Sequence, residues 1–432
     1  TWKEINEHLE INADSFQSLI EELGMKRFGH RPKIGDVFSG GGSIPFEAGR
    51  LGADVYASDL NPVASLLTWA SLNIAGASDE EVEQLRIFQE KVYDQVNKQI
   101  TEWGIEHNEE GHRADSYLYC METKCPECGY RVPLAPSWVI GRGTKTVVLL
   151  KDNGKDGFDI EIVQDASKDD FKEADRKITV KRNNMYCPNC ELETPITALR
   201  GDRRTDGQTI YGLRLWEKNE FIPREDDVFQ ERLYCIRYVS NEGRYYAAPR
   251  EEDLKREDRV IDILSERFAD WQEQGYIPSD IIEDGDKTSE PIRTRGWQYW
   301  HQLFNPRQLL VNGLFAKLSQ EKASGQVEKV MGLLGVNKFA NFNSKLSMWV
   351  NGAGVEKVVH VFTNQSLNPY FNYGSRPIID LDTLWYINLK ASFDLNSNNI
   401  SLTDARGVSD TCDLWITDPP YADAVNYHEL TE

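Results

Sequence analysis

Residues 36–61 read DVFSGGGSIPFEAGRLGADVYASDLN, and this stretch decides the fold. Apolar and β-branched residues predict a strand over 33–38, three glycines follow at 40–42, and a helical pattern over 44–51 ends at Gly52. A second strand over 55–58 then leads into Asp59, 23 residues after Asp36. At this spacing an acid after the second strand can reach a ribose hydroxyl. The stretch therefore predicts a parallel α/β sheet that binds a nucleoside-containing cofactor.

The glycine turn alone does not select that cofactor. The third glycine of the dinucleotide pattern G-x-G-x-x-G would fall at Pro45, so a dinucleotide fits poorly. Much later, an apolar strand predicted over 414–417 ends at the sequence Asp418-Pro419-Pro420-Tyr421. FSGGG followed by DPPY resembles the motif pair of S-adenosylmethionine-dependent amino-methyltransferases. The alternatives are a simple strand-to-helix turn at the glycines and a proline-rich turn at DPPY.

Length and composition indicate a globular protein. A chain of 432 residues is long enough for two or three domains, and no apolar run approaches the length of a membrane span. The start, Thr1-Trp2-Lys3, lacks Met and any signal-peptide pattern, and predicts an internal start of a longer chain. Seven cysteines, four of them in two C-x2-C pairs, indicate metal binding in a reducing compartment, hence a cytoplasmic protein.

The net charge of −21 is unusual for a protein that binds nucleic acid, since phosphates attract basic surfaces. A local basic stretch compensates: residues 176–204 carry seven Lys and Arg side chains against three acids. The seven are Arg176, Lys177, Lys181, Arg182, Arg200, Arg203 and Arg204. This stretch is the candidate DNA-contacting face.

The pattern divides the chain into five segments. Residues 1–76 are predicted to form the amino-terminal part of the cofactor-binding core, and 77–117 a connecting helix that begins with the capping box Ser78 to Glu81. Alternating apolar residues predict a β-rich insert over 118–240, which contains both cysteine pairs. Residues 241–392 are predicted to be helical and to recognise the target, and 393–432 return to the core with DPPY. The pattern predicts a core that is truncated after that motif.

Ligands of parallel sheets bind at the carboxyl ends of the strands, which assigns roles to several side chains. The methionine and ribose groups of the cofactor are predicted to contact Asp36, Phe38, Ser39, Gly40, Gly41 and Gly42. The ribose hydroxyls are predicted to contact Asp59, followed by Leu60 and Asn61. Asp404-Ala405 ends the third predicted strand, over 398–403, and is placed to accept the adenine amino hydrogen. The alternative for Asp404 is a solvated acid in a turn.

DPPY supplies the catalytic prediction. An exocyclic amine of adenine or cytosine is a poor nucleophile because its lone pair is delocalised into the ring. Asp418 can accept one N–H and the Pro419 carbonyl the other, which frees the lone pair for attack on the sulfonium methyl. Pro420 helps to hold the backbone, and Tyr421 offers an aromatic face to a base that has left its stack. DPPY serves both amines, and adenine N6 is preferred over cytosine N4.

The two cysteine pairs predict one structural zinc ion. Cys125 and Cys128, and Cys187 and Cys190, each form a C-P-x-C knuckle, and four thiolates make a closed tetrahedral site. The 58 residues between the pairs exceed the common spacing, which a β-rich insertion would explain. A redox-active C-x-x-C is the alternative. Cys120, Cys235 and Cys412 are predicted to be isolated core cysteines, and His301 a packing group rather than a ligand.

Taken together, the motifs resemble the zinc-ribbon-containing adenine-specific DNA methylases of prokaryotes. The matching pieces are residues 36–64, residues 125–141, CPNC at 187–190, LFNPRQLL at 303–310 and TDPPYADAVNYHEL at 417–430. The resemblance implies a class I, Rossmann-like methyltransferase sheet interrupted by a β-rich zinc-ribbon insert and a helical region. It also implies bound S-adenosyl-L-methionine, structural Zn²⁺ and methylation of an amino group in double-stranded DNA.

The resemblance further implies a role in anti-phage defence, where methylation marks self DNA, with a helicase or ATPase of a defence complex as partner. Members of the family carry a further amino-terminal segment and the rest of the catalytic domain. Two other functions compete with this prediction: an RNA base methyltransferase on the same core, and a non-catalytic DNA-binding scaffold subunit.

Overall fold

The computed structural model describes residues 1–352, 354–361, 371–386 and 395–420. Within them the chain is a mixed α/β protein with thirteen α-helices, one parallel sheet and several antiparallel sheets. It divides into two compact units. The first comprises residues 1–91, 319–334 and 386–432, and the second comprises residues 92–318 and 335–385. Among the described helices, none combines the length and the apolar character that crossing a membrane requires.

The first unit is built on a parallel sheet of four strands. Their spatial order is Asn398–Leu402, Asp54–Asp59, Lys33–Asp36, Leu414–Trp415. The register pairs Ile34 with Val55 on one side and with Leu414 on the other. The predicted strands over 33–38, 55–58, 398–403 and 414–417 are therefore confirmed to within two residues. Strands more than 300 positions apart in the chain are neighbours in this sheet.

Two helices of the first unit follow its strands. Ser43–Arg50 follows the glycine turn, and Pro62–Asn73 begins where the Asn61 side chain accepts hydrogen bonds from the Val63 and Ala64 N–H groups. Proline suits the first helical position, because an N–H group there would have no partner within the helix and proline has none. Ala48, Ala53, Val55 and Leu72 are buried together between helices and sheet. This small core holds the first two strands and their helices in place.

The amino terminus corrects one prediction. Residues 2–23 read as a single helix, but the structure has two, Trp2–Leu9 and Phe16–Phe28. Glu10 ends the first with a left-handed backbone, φ 53°, and the Asn6 side chain then bonds the Ala13 backbone at 2.8 and 2.9 Å. These local contacts outweigh the helical periodicity.

The long helix Asp79–Trp103 begins at the predicted capping box. The Ser78 N–H donates to Glu81 Oε2 at 2.8 Å, and the Glu81 N–H donates back to Ser78 Oγ at 3.3 Å. The predicted apolar stripe is buried; it consists of Leu85, Phe88, Val92, Val96 and Ile100. The connecting segment predicted over 77–117 is shorter than expected, because a strand begins at Arg113.

The second unit contains the β-rich insert. Its largest sheet has the order Gly243–Ala247, Gln230–Ser240, Arg113–Lys124, Asn372–Ser375, and Arg131–Leu134 also pairs with Arg113–Lys124. A second sheet comprises Val139–Gly141, Thr146–Asp152 and Phe158–Val163, and a third comprises Val180–Lys181, Asn184–Tyr186 and Glu193–Pro195. Two hairpins complete the strands: Arg203–Thr205 with Gln208–Ile210, and Trp349–Gly352 with Val355–Val358.

The remaining helices lie mostly in the second unit. They are Lys168–Arg176, Ile196–Leu199, Glu251–Ser265, Phe268–Glu273, Ser289–Arg295, Pro306–Lys322, Gln326–Phe342 and Ile378–Trp385, with 3-10 turns at Trp300–Leu303 and, in the first unit, Ala405–Gly407.

The prediction of a helical segment over 241–392 needs correction, because it contributes four strands. Two of them, Gly243–Ala247 and Asn372–Ser375, belong to the largest sheet. The sequence of the second strand, NYGS, has no strand pattern. Tyr373 nevertheless pairs with Tyr119 and stacks on it, with ring centroids 5.3 Å apart, so tertiary packing selects the strand.

Candidate functional site

The glycine turn combines one crowded position with one open position. Gly42 has φ 85°, and a Cβ there would lie 2.9 Å from the Thr68 Cα. Among the described residues, no atom other than those of Gly41 and its two chain neighbours lies within 4 Å of the place where a Gly41 Cβ would be. The turn is closed by the Gly42 N–H, which donates to the Ser39 carbonyl at 2.8 Å. Gly42 therefore packs the turn against the neighbouring helix, while the space beside Gly41 is open to a ligand.

The helix that follows the turn presents backbone donors. Ser43–Arg50 has Gly42 as its N-cap, and no side chain of the described residues caps its first turn. The first N–H groups of a helix have no partner within the helix and carry partial positive charge. Ser39 is fixed beneath the turn, because the buried Thr68 hydroxyl donates to Ser39 Oγ at 3.0 Å. Phe38 is partly exposed beside them, with 38% of its surface accessible.

Asp59 holds the turn from the second strand. Its Oδ2 accepts the Gly40 N–H and its Oδ1 accepts the Asn61 N–H, both at 2.9 Å. Each carboxylate oxygen can accept a second hydrogen bond, so capacity remains for a ligand hydroxyl. Leu60, between Asp59 and Asn61, is 72% exposed. The acid is thus pre-oriented at the carboxyl end of its strand.

Asp36 is the buried centre of this edge, with 2% of its surface exposed. Its Oδ1 accepts the Phe38 N–H at 3.0 Å and the Thr417 hydroxyl at 2.8 Å. Burial raises the pKa of Asp36, the nearby charges of Asp59 and Asp418 add to the increase, and the two hydrogen bonds oppose it. Thr417 is a site residue that the sequence analysis missed. Its position immediately before DPPY was the available signal.

Asp404 lies at the end of the neighbouring strand. Leu402 pairs with Asp59, and the Thr403 N–H donates to the Asp59 carbonyl at 3.1 Å. The Asp404 carboxylate is held by Arg406, with 2.6 Å between Oδ2 and Nη2. Hydrogen bonds from the Arg406 side chain and backbone lower the pKa of Asp404 to about 2. Arg406, which the sequence analysis did not single out, therefore competes for this carboxylate with any ligand amine.

The last strand brings the DPPY motif to the same edge. The Ile416 N–H donates to the Gly35 carbonyl at 3.0 Å, which continues the parallel pairing beyond Trp415. Asp418, Pro419 and Pro420 follow and are exposed. Tyr421 lies outside the described residues. The carboxyl ends of all four strands thus gather the predicted acids, the glycine turn and the first three residues of DPPY at one edge of the sheet.

The four knuckle cysteines meet in the second unit. Their Sγ atoms all lie within 4.8 Å of one another, with 3.8 Å between Cys125 and Cys190 and 3.6 Å between Cys128 and Cys187. Four sulfurs bound to Zn²⁺ at about 2.3 Å are roughly 3.8 Å apart. The cluster therefore fits a metal ion such as zinc. The 58-residue gap contains the three-stranded sheet 139–163 and the helix Lys168–Arg176.

The two knuckles repeat one backbone geometry. The Cys125 N–H donates to the Tyr130 carbonyl at 2.8 Å, and the Cys187 N–H donates to the Leu192 carbonyl at 3.0 Å. The equivalent positions Gly129 and Glu191 both have left-handed backbones, with φ 77° and 59°. Each knuckle is the turn of a hairpin. One hairpin supplies Cys125 and Cys128 and the other supplies Cys187 and Cys190, so the cluster receives two thiols from each.

The thiols differ in acidity. Burial raises the pKa of Cys125 and Cys187. Burial opposes ionisation of Cys128 as well, but hydrogen bonds, one of them from the Asn189 side chain, lower its pKa to about 7. Metal ions bind thiolates, so metal binding at this cluster releases protons.

Other predicted features lie away from these sites. Cys120 and Cys235 are fully buried and Cys412 is half-buried. His301 is buried, and its Nε2 donates to the Glu220 carbonyl at 2.9 Å, as expected of a packing group.

The basic stretch 176–204 is partly neutralised. Ion pairs with Glu173 or Asp202 engage Arg176, Lys177 and Arg200. The other four cations, which form no ion pair within the described part of the chain, are Lys181, Arg182, Arg203 and Arg204.

Comparison with protein-family models, with curated proteins and with solved structures returned no match to this chain.

Proposed function

We propose that the chain is an S-adenosyl-L-methionine-dependent methyltransferase that acts on an exocyclic amino group of double-stranded DNA, most directly adenine N6. The observation that carries the proposal is the hydrogen bond from Thr417 to Asp36. It joins the strand that ends in DPPY to the strand that leads into the glycine turn, across 381 positions of sequence. The two motifs of the suggested chemistry therefore share one edge.

The order of the strands supports a Rossmann-like core. Counted along the chain, the strands of this sheet have the order third, second, first, fourth, which matches the first four positions of the doubly wound order 3-2-1-4-5-6. Ligands of such sheets bind outside the carboxyl ends near the first strand. The glycine turn and Asp59 occupy that location.

The residues at this edge fit the cofactor. The open space at Gly41 and the uncapped N–H groups of Ser43–Arg50 suit its methionine carboxylate, and Asp59 suits the ribose hydroxyls. Asp404 suits the adenine amine if Arg406 moves aside. When bound, the cofactor supplies an electrophilic methyl group on a sulfonium.

The reaction follows from the acceptors at DPPY. The Asp418 carboxylate accepts one hydrogen of the target amine and the Pro419 carbonyl accepts the other, so the lone pair points towards the methyl group. The methylated nitrogen then releases one proton, which passes to the Asp418 carboxylate and on to water. Pro420 has no N–H that would compete for these acceptors. The base must leave the duplex to reach this edge, and Tyr421 offers a stacking surface. Most of the rate gain then comes from orientation.

Zinc and DNA belong to the second unit in this proposal. Zn²⁺ at the four cysteines is structural, because four thiolates leave no open coordination position. Lys181, Arg182, Arg203 and Arg204 provide phosphate or base contacts that the net charge of −21 otherwise disfavours. The resemblance to defence-associated methylases suggests marking of self DNA beside a helicase or ATPase partner.

The experiment is methyl transfer from radiolabelled cofactor to unmethylated DNA, with total RNA as the competing substrate. We expect N6-methyladenine in DNA from the wild-type chain and none from Asp418→Ala. Asp418→Ala should retain cofactor binding and zinc, which separates loss of chemistry from loss of fold. Transfer to RNA alone would support the RNA methyltransferase, and DNA binding without transfer would support the scaffold. Unchanged methylation by Asp418→Ala would exclude the catalytic assignment.

A further inference from the structure

A hairpin of the second unit is exposed along its whole length within the described part of the chain. Arg203–Thr205 and Gln208–Ile210 pair antiparallel, and all six residues are exposed. The turn between them is Asp206-Gly207, with φ 53° and 80°, which is the positive-φ geometry of the tightest hairpin turns. Both faces of the hairpin are therefore accessible to another molecule.

The base of the hairpin is held by several contacts. Asp202 accepts the Arg200 guanidinium at 2.6 Å and the Gly212 N–H at 3.2 Å. Gly212 passes so close to the other side of the base that a Cβ would lie 2.4 Å from the Arg200 carbonyl oxygen. The Arg293 guanidinium covers the Tyr211 ring at 5.6 Å. These contacts aim the hairpin in one direction, as a reading element requires.

The register sorts its side chains onto two faces. Arg203 pairs with Ile210 and Thr205 pairs with Gln208, so these four share one face. Arg204 and Thr209 form the other face. One face carries an Arg, a Gln, a Thr and an apolar side chain, and the other carries a cation and a hydroxyl.

The chemistry of the first face matches the edges of base pairs. Arg binds guanine O6 and N7, Gln binds adenine N6 and N7, and apolar groups contact the thymine methyl. The major groove of B-DNA accommodates a two-stranded ribbon, whereas the major groove of duplex RNA is too deep and narrow for side chains to read. Arg203 and Arg204 form no ion pair within the described residues, so both charges are available to DNA.

We propose that the 203–210 hairpin enters the major groove of double-stranded DNA and determines the sequence in which the target base is methylated. Arg203 and Gln208 read base edges, and Arg204 contacts a phosphate. This inference rests on the proposed function, because a reader of sequence is needed only if the substrate is DNA.

The test is selection of duplexes with a randomised centre by the full chain, followed by sequencing of the bound pool. We expect a defined base preference from the wild-type protein. Arg203→Ala and Gln208→Ala should each relax the preference at one position, with a loss of roughly tenfold in discrimination. Arg204→Ala should weaken binding to all duplexes alike and reduce the dependence of affinity on salt. Lys155→Ala, in the 153–157 turn, is the matched control and should change neither property.

Each outcome has a distinct meaning. A wild-type preference that survives Arg203→Ala and Gln208→Ala overturns the hairpin proposal but leaves the methyltransferase proposal intact. No binding to any duplex, or equally tight binding to duplex RNA, overturns both. The substituted residues are exposed, so the variants should fold like wild type. Metal analysis that finds one zinc ion per chain verifies that the cysteine knuckles are intact.

Discussion

Gly41 and Gly42 are adjacent, and the structure predicts opposite consequences when each is replaced by alanine. At Gly42 the backbone is left-handed, with φ 85°, and a Cβ would lie 2.9 Å from the Thr68 Cα and 2.7 Å from the Ser71 Oγ. At Gly41 the backbone is not left-handed, and a Cβ would meet nothing within 4 Å. Gly42→Ala should therefore damage the fold, and Gly41→Ala should not.

The expected loss for Gly42→Ala has two parts. A left-handed conformation costs an L-residue about 1–2 kcal/mol. Forcing a methyl group against the backbone of helix Pro62–Asn73 adds about 1–3 kcal/mol. The first unit should therefore lose about 2–5 kcal/mol of stability, a large share of what holds a domain of this size together. Gly41→Ala should stay within about 0.5 kcal/mol of wild type.

Hydrogen exchange followed by mass spectrometry measures this difference within the first unit, where a global melting curve would mix the two units. Peptides that cover Asp54–Asp59 and Pro62–Asn73 should exchange much faster in Gly42→Ala only. Titration with S-adenosyl-L-methionine should show weaker binding to Gly41→Ala, because its methyl group enters the space assigned to the cofactor. Equal protection in the two variants would refute the packing argument. If Gly41→Ala binds the cofactor as tightly as wild type, the cofactor does not occupy the space beside Gly41.

Three further predictions concern other residues. Thr417→Val removes the hydroxyl that donates to the buried Asp36 carboxylate at 2.8 Å. The first unit should lose about 1–3 kcal/mol of stability, and the pKa of Asp36 should rise further. Hydrogen exchange of the 33–36 strand measures the loss of stability. Burial lowers the pKa of His301 to about 4, so only the unfolded chain binds its proton between pH 6.5 and 4 and stability falls on acidification. Hydrogen exchange of peptides from the second unit should show that wild type loses about 2 kcal/mol more than His301→Gln between pH 7 and 5; equal losses would contradict this. Cys187→Ser should reduce zinc well below one ion per chain, whereas Cys412→Ser should retain it, as metal analysis would reveal.

The parts of the structure that were predictable are those written in local patterns. The strand at 33–36, the glycine turn and the helix after Asn61 follow from residues within a few positions of one another. The capping box at Ser78 belongs to the same class. The knuckles were predictable as well, because each C-P-x-C turn is complete within six residues.

One error arose where a tertiary contact outweighed local preference. Residues 372–375 form a strand because Tyr373 stacks on Tyr119, although the two residues are 254 positions apart. Arg406 lies only two residues after Asp404, yet nothing in the sequence separates an arginine that pairs with the acid from one that points into solvent. The ion pair between Asp404 and Arg406 is therefore visible only in the structure.

The sequence by itself determined where the four parallel strands lie, to within two residues, because strand patterns and the acids that follow them are local features. It determined likewise that two cysteine pairs are present in matching turns. Only the tertiary structure decided which strands are neighbours, and with that the contact between Thr417 and Asp36. The same holds for the four thiols, which meet because two separate hairpins pack together. Pairing between distant segments depends on the burial and hydrogen bonding of the whole unit, and no short stretch of sequence contains that information.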